Sequence, residues 1–133
     1  MPDSVFVDSN VLLYALDKDS PKQAIAFSIW RQGVSVSTQV VMELTNVCIR
    51  KLKMPREVAF ENALNIMEAA TVKPLTDSTI RLAFRIALKY GFSHWDCLIV
   101  ASALECNCQT LYTEDLQHNQ LIEGKLKIIN PFL

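Results

Sequence analysis

Short runs rich in β-branched and aromatic residues alternate along this chain with longer stretches of helical periodicity. Val5-Phe6-Val7, Val34-Ser35-Val36, Thr71-Val72-Lys73-Pro74, Gln109–Thr113 and Lys127–Asn130 read as strands. The alternation argues for an α/β chain built on a parallel sheet. Parallel neighbours need a crossover of a dozen residues or more, and a helix supplies it. Right-handed crossovers then put helices on both faces. Pro74 confines its strand to an end or an edge.

The helical segments carry start and stop signals. Asp8-Ser9-Asn10 is a capping cluster before Val11, Leu12, Ala15 and Leu16. Pro21 opens a second helix through about Gln32, and Gly33 breaks it. Thr38 can cap a long helix through Lys53, with Val40, Val41, Leu44, Val47, Cys48 and Leu52 as its apolar face. Pro55 starts another helix that ends near Ala70. Asp77 and Ser78 precede a helix from about Thr79 to Tyr90, closed by Gly91. Ser93-His94-Trp95-Asp96 has a capping-box layout, with Asp in place of Glu or Gln. The helix after it, through Leu104, is apolar nearly all round and is expected to be buried.

Composition narrows the function classes. The 133 residues fit one domain, 1–133, and half of them are hydrophobic. A formal net charge of −1 argues against tight, nonspecific duplex binding, while leaving a local basic patch open. No run of about 18 apolar residues occurs, so no membrane span is expected. Met1-Pro2-Asp3-Ser4 lacks the basic opening of a signal peptide, which points to the cytoplasm. Cys48, Cys97, Cys106 and Cys108 are then expected to be reduced. Cys106-Asn107-Cys108 lacks zinc-knuckle spacing, and all four read as small buried apolar residues.

Four acids meet or line the helices: Asp8, Glu43, Asp96 and Asp115. Asp8 ends the first strand. Ser9 and Asn10 can cap the next helix in its place and leave its carboxylate free. Glu43 lies among Val40, Val41, Met42 and Leu44, so it sits either at the core margin or in a pocket. Asp96 begins a buried helix, where a carboxylate needs a partner. Asp115 follows the Leu111-Tyr112-Thr113 strand. Open α/β sheets bind ligands where the strand order reverses. If the first and fourth strands are neighbours there, Asp8 and Asp115 lie side by side. Carboxylates forced together shift one another's pKa unless a cation intervenes. That suggests a divalent-metal site and metal-assisted attack on a phosphodiester.

Positive charge gathers at Arg50, Lys51, Lys53 and Arg56, and again at Arg81, Arg85 and Lys89. Each set reads as an RNA contact or as a solvated helix face. His94 and His118 read as a helix-start and a surface residue rather than as acid and base. A haloacid-dehalogenase-like phosphatase needs an acid where Asn10 stands. A phospho-receiver needs paired acids after the first strand. A catalytically silent binding domain, its acids only capping helices, stays open. Phe27, Trp30, Phe60, Met67 and Phe84 lie on helical stripes, which are more often core than interface, and the sequence does not separate the two.

Four segments carry a family resemblance: Phe6-Val7-Asp8-Ser9-Asn10-Val11-Leu12-Leu13-Tyr14-Ala15, Val40-Val41-Met42-Glu43-Leu44, His94-Trp95-Asp96-Cys97-Leu98-Ile99-Val100-Ala101-Ser102-Ala103, and Leu111-Tyr112-Thr113-Glu114-Asp115-Leu116. In order and spacing the chain resembles a PIN-domain ribonuclease, most closely the VapC-type toxins of bacterial toxin–antitoxin modules. Ser9 stands where many members have Thr. The resemblance implies a five-stranded parallel sheet of order 3-2-1-4-5. It implies an acidic quartet of Asp8, Glu43, Asp96 and Asp115 around Mg²⁺ or Mn²⁺, supported by Asn10 and Thr113. Asp8, Asp96 and Asp115 would contact the metal, and Glu43 would hold a water or a second ion. It also implies an RNA substrate, a cognate antitoxin and a homodimer. A silent PIN-like module and a non-toxin PIN nuclease in RNA processing are the other readings.

Overall fold

The computed structural model describes residues 4–133; Met1, Pro2 and Asp3, on which the leader-peptide reading partly rests, lie outside the described residues. Twelve elements follow in order: β1 Val5–Val7, α1 Ser9–Leu16, α2 Gln23–Trp30, β2 Ser35–Ser37, α3 Thr38–Arg50, α4 Arg56–Ala69, β3 Thr71–Lys73, α5 Asp77–Tyr90, α6 His94–Glu105, β4 Thr110–Tyr112, β5 Leu121–Ile122 and β6 Leu126–Ile129. The sheet order is β3-β2-β1-β4-β6-β5. The first five strands in that list are parallel, and β5 alone runs antiparallel, against β6. Helices flank the sheet in a three-layer α/β arrangement.

The five parallel strands reproduce the expected order 3-2-1-4-5, and β5 is an addition to it. Two residues are too few to show a period of two. The turn that returns β5 to β6 places Glu123 (φ 53°) and Gly124 (φ 67°) both in the left-handed region. Two such residues in a row are the backbone of a tight hairpin turn. The Lys125 N–H closes it on the Ile122 carbonyl at 3.0 Å.

Sheet order explains what is buried. β1 lies between β2 and β4, and its Phe6 and Val7 are shut off from solvent, with Val5 only half-buried. Val36 of β2, Leu111 of β4 and Ile128 of β6 complete the central strip. Each such side chain contributes about 1.5–3 kcal/mol by leaving water. Helix α6 buries every residue from Cys97 to Ala103, as its all-round apolar sequence requires. Cys48, Cys97 and Cys108 are buried free thiols and Cys106 is half-buried.

Helix starts depart from expectation by a residue or two. Ser37, not Thr38, caps α3 by accepting from the Val40 N–H at 3.2 Å. The Thr38 hydroxyl instead accepts from the Leu75 N–H. Thr76 caps α5 in a reciprocal box with Thr79, so the helix begins at Asp77. Gly91 ends it at φ 78°, as foreseen. Among the stripe residues, Trp30 packs against the core, but Phe27, Phe60, Met67 and Phe84 are exposed. Helical spacing identified one face in each case without saying whether a neighbour covers it. Among the described residues no helix is long and apolar enough to cross a membrane.

Candidate functional site

The strand order reverses between β1 and β4, so the segments leaving their carboxyl ends run side by side. Asp8 follows β1, and its N–H still donates to the Tyr112 carbonyl at 3.0 Å. Thr113-Glu114-Asp115 follows β4. Asp8 is itself the cap of α1: its Oδ1 accepts from the Ser9 N–H at 2.7 Å. The expectation that Ser9 and Asn10 would take over capping is therefore wrong. Asp caps as well as Ser does, and Asp8 already has the extended backbone that a cap needs.

Capping uses one side of the carboxylate and leaves Oδ2 facing the β4 loop. There the Thr113 hydroxyl donates to Oδ2 at 2.9 Å. The Asn10 amide reaches Asp8 Oδ2 at 3.4 Å, Thr113 Oγ1 at 3.2 Å and Asp115 Oδ2 at 2.9 Å. One side-chain amide thus joins the acids of two strand ends. Asp8 is only 5% exposed and Asp115 is exposed, so the pair leads from the interior to solvent.

Glu43 and Asp96 approach from α3 and α6. The Ser93 hydroxyl accepts from the Asp96 N–H at 3.2 Å. The reciprocal half of the box is not made, which leaves the Asp96 carboxylate available. Gln39 fastens the two helix starts together, its Nε2 donating to the Trp95 carbonyl at 3.3 Å. Glu43 is half-buried one turn after Gln39.

The acids share one electrostatic neighbourhood. Burial pushes the Asp8 carboxyl up. The Thr113 hydroxyl and the Ser9 N–H pull it down, and the charges of Asp115 and Asp96 raise it further. Burial also raises Glu43, followed by the charge of Asp8. Gln39 lowers it, and Asp96 and Asp115 add to the rise. Burial leads both shifts, and the like charges of the neighbouring carboxylates add to them.

Among the described residues, no group of three or more His, Cys, Asp or Glu side chains is arranged to hold an ion by itself. The donor set nonetheless suits a hard divalent cation. All its donors are carboxylate oxygens, and Mg²⁺ keeps most of its waters and takes one or two carboxylates plus phosphate oxygens. The raised carboxyls are what an added cation would relieve.

Asp115 also lines a cleft of about 250 Å³ with Ser9, Asn10, Tyr14, Lys51 and Glu114. Lys51 therefore stands at the site, whereas Arg50 is exposed and does not line the cleft. Glu114, beside Asp115, is committed elsewhere. It accepts from the Tyr14 hydroxyl at 2.6 Å and from Lys22 at 2.9 Å. Burial raises its carboxyl, but those two donors outweigh burial and hold it below the ordinary value. A second cavity, about 300 Å³, lies between α1, α2 and α4 and has no carboxylate in its lining. Arg81 pairs with Asp77, and Arg85 and Lys89 pair with Glu123, so that helix face is ion-paired. His94 opens α6, edge-on to Trp95. His118 is half-buried, and its Nδ1 accepts from the Asn130 N–H.

A family model for the PIN domain matches residues 5–123. The chain belongs to the PIN-domain family. The PIN domain is similar in structure to VapC20 of Mycobacterium tuberculosis, described as a toxin that cleaves the sarcin–ricin loop. The two are 18% identical with a TM-score of 0.70, over 84% of this chain and 92% of that one. A toxin–antitoxin complex from Klebsiella pneumoniae matches at 19% identity and TM-score 0.70, over 96% and 97%. VapBC2 from Rickettsia felis, bound to a promoter DNA fragment, matches at 17% and 0.66, over 95% and 98%. Likeness at this identity establishes the fold. No curated protein sequence matches the chain.

Sequence reasoning overlooked Gln39 and the Tyr14–Lys22–Glu114 cluster. Gln39 is four residues before Glu43, the spacing that puts two side chains on one helix face. That signal was available. Tyr14, Lys22 and Glu114 meet only because β4 returns beside β1, and nothing local announces it.

Proposed function

We propose that this PIN domain is a metal-dependent endoribonuclease, and the toxin of a type II toxin–antitoxin pair. The observation that carries the reading is the Asn10 amide joining Asp8, Thr113 and Asp115 at the switch point. It sits in a neighbourhood where Glu43 and Asp96 add to the same negative charge. The family match and the toxin neighbours support the same class of chemistry.

Asp8, Asp96 and Asp115 would hold Mg²⁺ or Mn²⁺, and Glu43 would orient the attacking water or hold a second ion. Such an ion, when bound, lowers the pKa of that water and neutralises charge on the phosphate during displacement. The chain's own part is orientation. Thr113 and Ser9 fix the rotamer of Asp8, Asn10 sets the spacing of Asp8 and Asp115, and Gln39 steadies Glu43. Lys51, which lines the cleft with Asp115, would contact the RNA backbone, and the exposed Arg50 next to it in sequence would add to that contact. A cognate antitoxin is an expected partner, as in the toxin–antitoxin complexes to which this fold is similar, and a second copy of the chain is the other.

Cleavage of an RNA panel with Mg²⁺, Mn²⁺ or EDTA tests the reading. Asp96→Asn is the best comparison, because Asp8 also caps α1. Metal-dependent cutting lost in that variant supports the proposal, and full activity in it removes the assignment. A catalytically silent binding module is the second reading, favoured by the lack of a three-ligand cage among the described residues. It predicts neither cutting nor calorimetric Mg²⁺ uptake.

A further inference from the structure

Trp95 is 62% exposed, immediately before Asp96 in the first turn of α6. Tryptophan carries one of the largest apolar surfaces of any side chain and is highly buried on average. Its backbone is held: the Trp95 carbonyl accepts from Gln39, which is 8% exposed and belongs to the helix carrying Glu43. Its ring meets the His94 ring edge-on, with centroids 5.0 Å apart at 83°. A single edge-on neighbour can meet at most one face of the indole, so the other stays open. The exposed indole is therefore anchored through its backbone to the helix of Glu43, and the next residue, Asp96, adds its charge to Asp8 and Glu43.

We infer that Trp95 is a substrate-positioning residue that stacks on a nucleobase next to the cleaved phosphate. The inference rests on the nuclease reading and adds to it a recognition contact. Trp95 and Asp96 are consecutive in the first turn of α6, so a base on the indole would keep the RNA strand within a nucleotide or two of the acids. Only an unpaired or flipped base offers a free face, since bases within a duplex are stacked on both sides. Trp95 therefore favours single-stranded or looped RNA. A protein partner fits the surroundings less well. The flanking Ser93 and His94 are exposed polar residues and Asp96 carries a charge, whereas protein docking faces are depleted of charge at their centre.

The test combines fluorescence and kinetics. Trp30→Phe leaves Trp95 as the sole indole, since the chain has two tryptophans. Titration with a short single-stranded RNA should quench its emission, and the same sequence as a duplex should not. Trp95→Ala should raise KM for single-stranded RNA on the order of tenfold, the scale of one lost base stack, with kcat little changed. Trp95→Phe should recover most of the loss. On a substrate abasic at the position beside the cut, wild type and Trp95→Ala should become equal. Cleavage by wild type with unchanged KM in Trp95→Ala, or without quenching, overturns this inference and spares the nuclease. Neither cleavage nor quenching overturns both. Quenching by an antitoxin peptide but not by RNA makes Trp95 a protein contact and overturns the inference.

Discussion

Glu123, at the tip of the β5–β6 hairpin, accepts from Arg85, Lys89 and the Tyr90 hydroxyl, whereas Asp8, at the end of β1, accepts only from the neutral Ser9, Asn10 and Thr113. The two carboxylates respond in opposite directions. Lys89, then Arg85 and Tyr90, hold Glu123 down at about 2. Burial, reinforced by Asp115 and Asp96, pushes Asp8 up. The hairpin carboxylate is saturated with cations and fastens β5 to α5. The switch-point carboxylates are held in place by neutral groups and repel one another. Structural ion pairs complete themselves. Carboxylates held together without a cationic partner are a local destabilisation, which is common where function is carried.

The contrast can be broken in four places. Asp96→Asn should have the largest effect, lowering RNA cleavage by about 10²–10³-fold, the scale of losing one precisely aimed charge-stabilising group. Its melting temperature without metal should stay level or rise, because a repelling charge has gone. A large fall in melting temperature would mean that Asp96 is structural. Asn10→Ala should follow, loosening both Asp8 and Asp115 and weakening Mg²⁺ binding by about 10–100-fold in calorimetry, as loss of a ligand-orienting partner does. Unchanged affinity would remove Asn10 from the site.

The third test concerns pH. Glu123 is depressed from 4.5 to about 2, so the folded state binds fewer protons than the unfolded one between those values. Its stabilisation is full above pH 4.5 and is lost as pH falls toward 2. Glu123→Gln should therefore be less stable than wild type at pH 7, with the gap in urea midpoint closing as pH falls through that window. A gap independent of pH would assign the effect to packing. Asp8 and Glu43 act with the opposite sign. Their raised values disfavour folding at neutral pH, and protonation or a bound cation relieves that. Lys51→Ala should have the smallest effect, flattening the salt dependence of RNA binding by about 0.7 in log–log slope. An unchanged slope would remove Lys51 from the RNA path.

What the sequence made legible is what depends on local pattern and on elements large enough to display it. The apolar run into Asp8, the all-round apolar α6 and the glycine stop at Gly91 each carry their own signal, and the five parallel strands follow from alternation. Cap positions slipped because adjacent residues compete: Asp8 against Ser9, and Ser37 against Thr38. Both members of each pair can accept the same N–H, and the backbone torsion that decides between them is set by the strand upstream. β5 was missed because two residues make no pattern. The exposure of Phe84 on α5 was missed because periodicity marks a face and not its neighbour. Within the site, Asn10 and Thr113 were reached through family resemblance. The bonds of Thr113 to Asp8 and to Asn10 require β4 beside β1, a contact across more than a hundred residues of chain.

The most direct measurement is cleavage of a mixed RNA panel by the wild-type protein and by Asp96→Asn, each with Mg²⁺, Mn²⁺ and EDTA, with Mg²⁺ binding followed by calorimetry on the same samples. The account predicts cutting that needs the metal and the Asp96 carboxylate, and metal uptake that weakens in the variant. Cutting that survives EDTA or Asp96→Asn, or a wild-type protein that neither binds Mg²⁺ nor cuts, would contradict it.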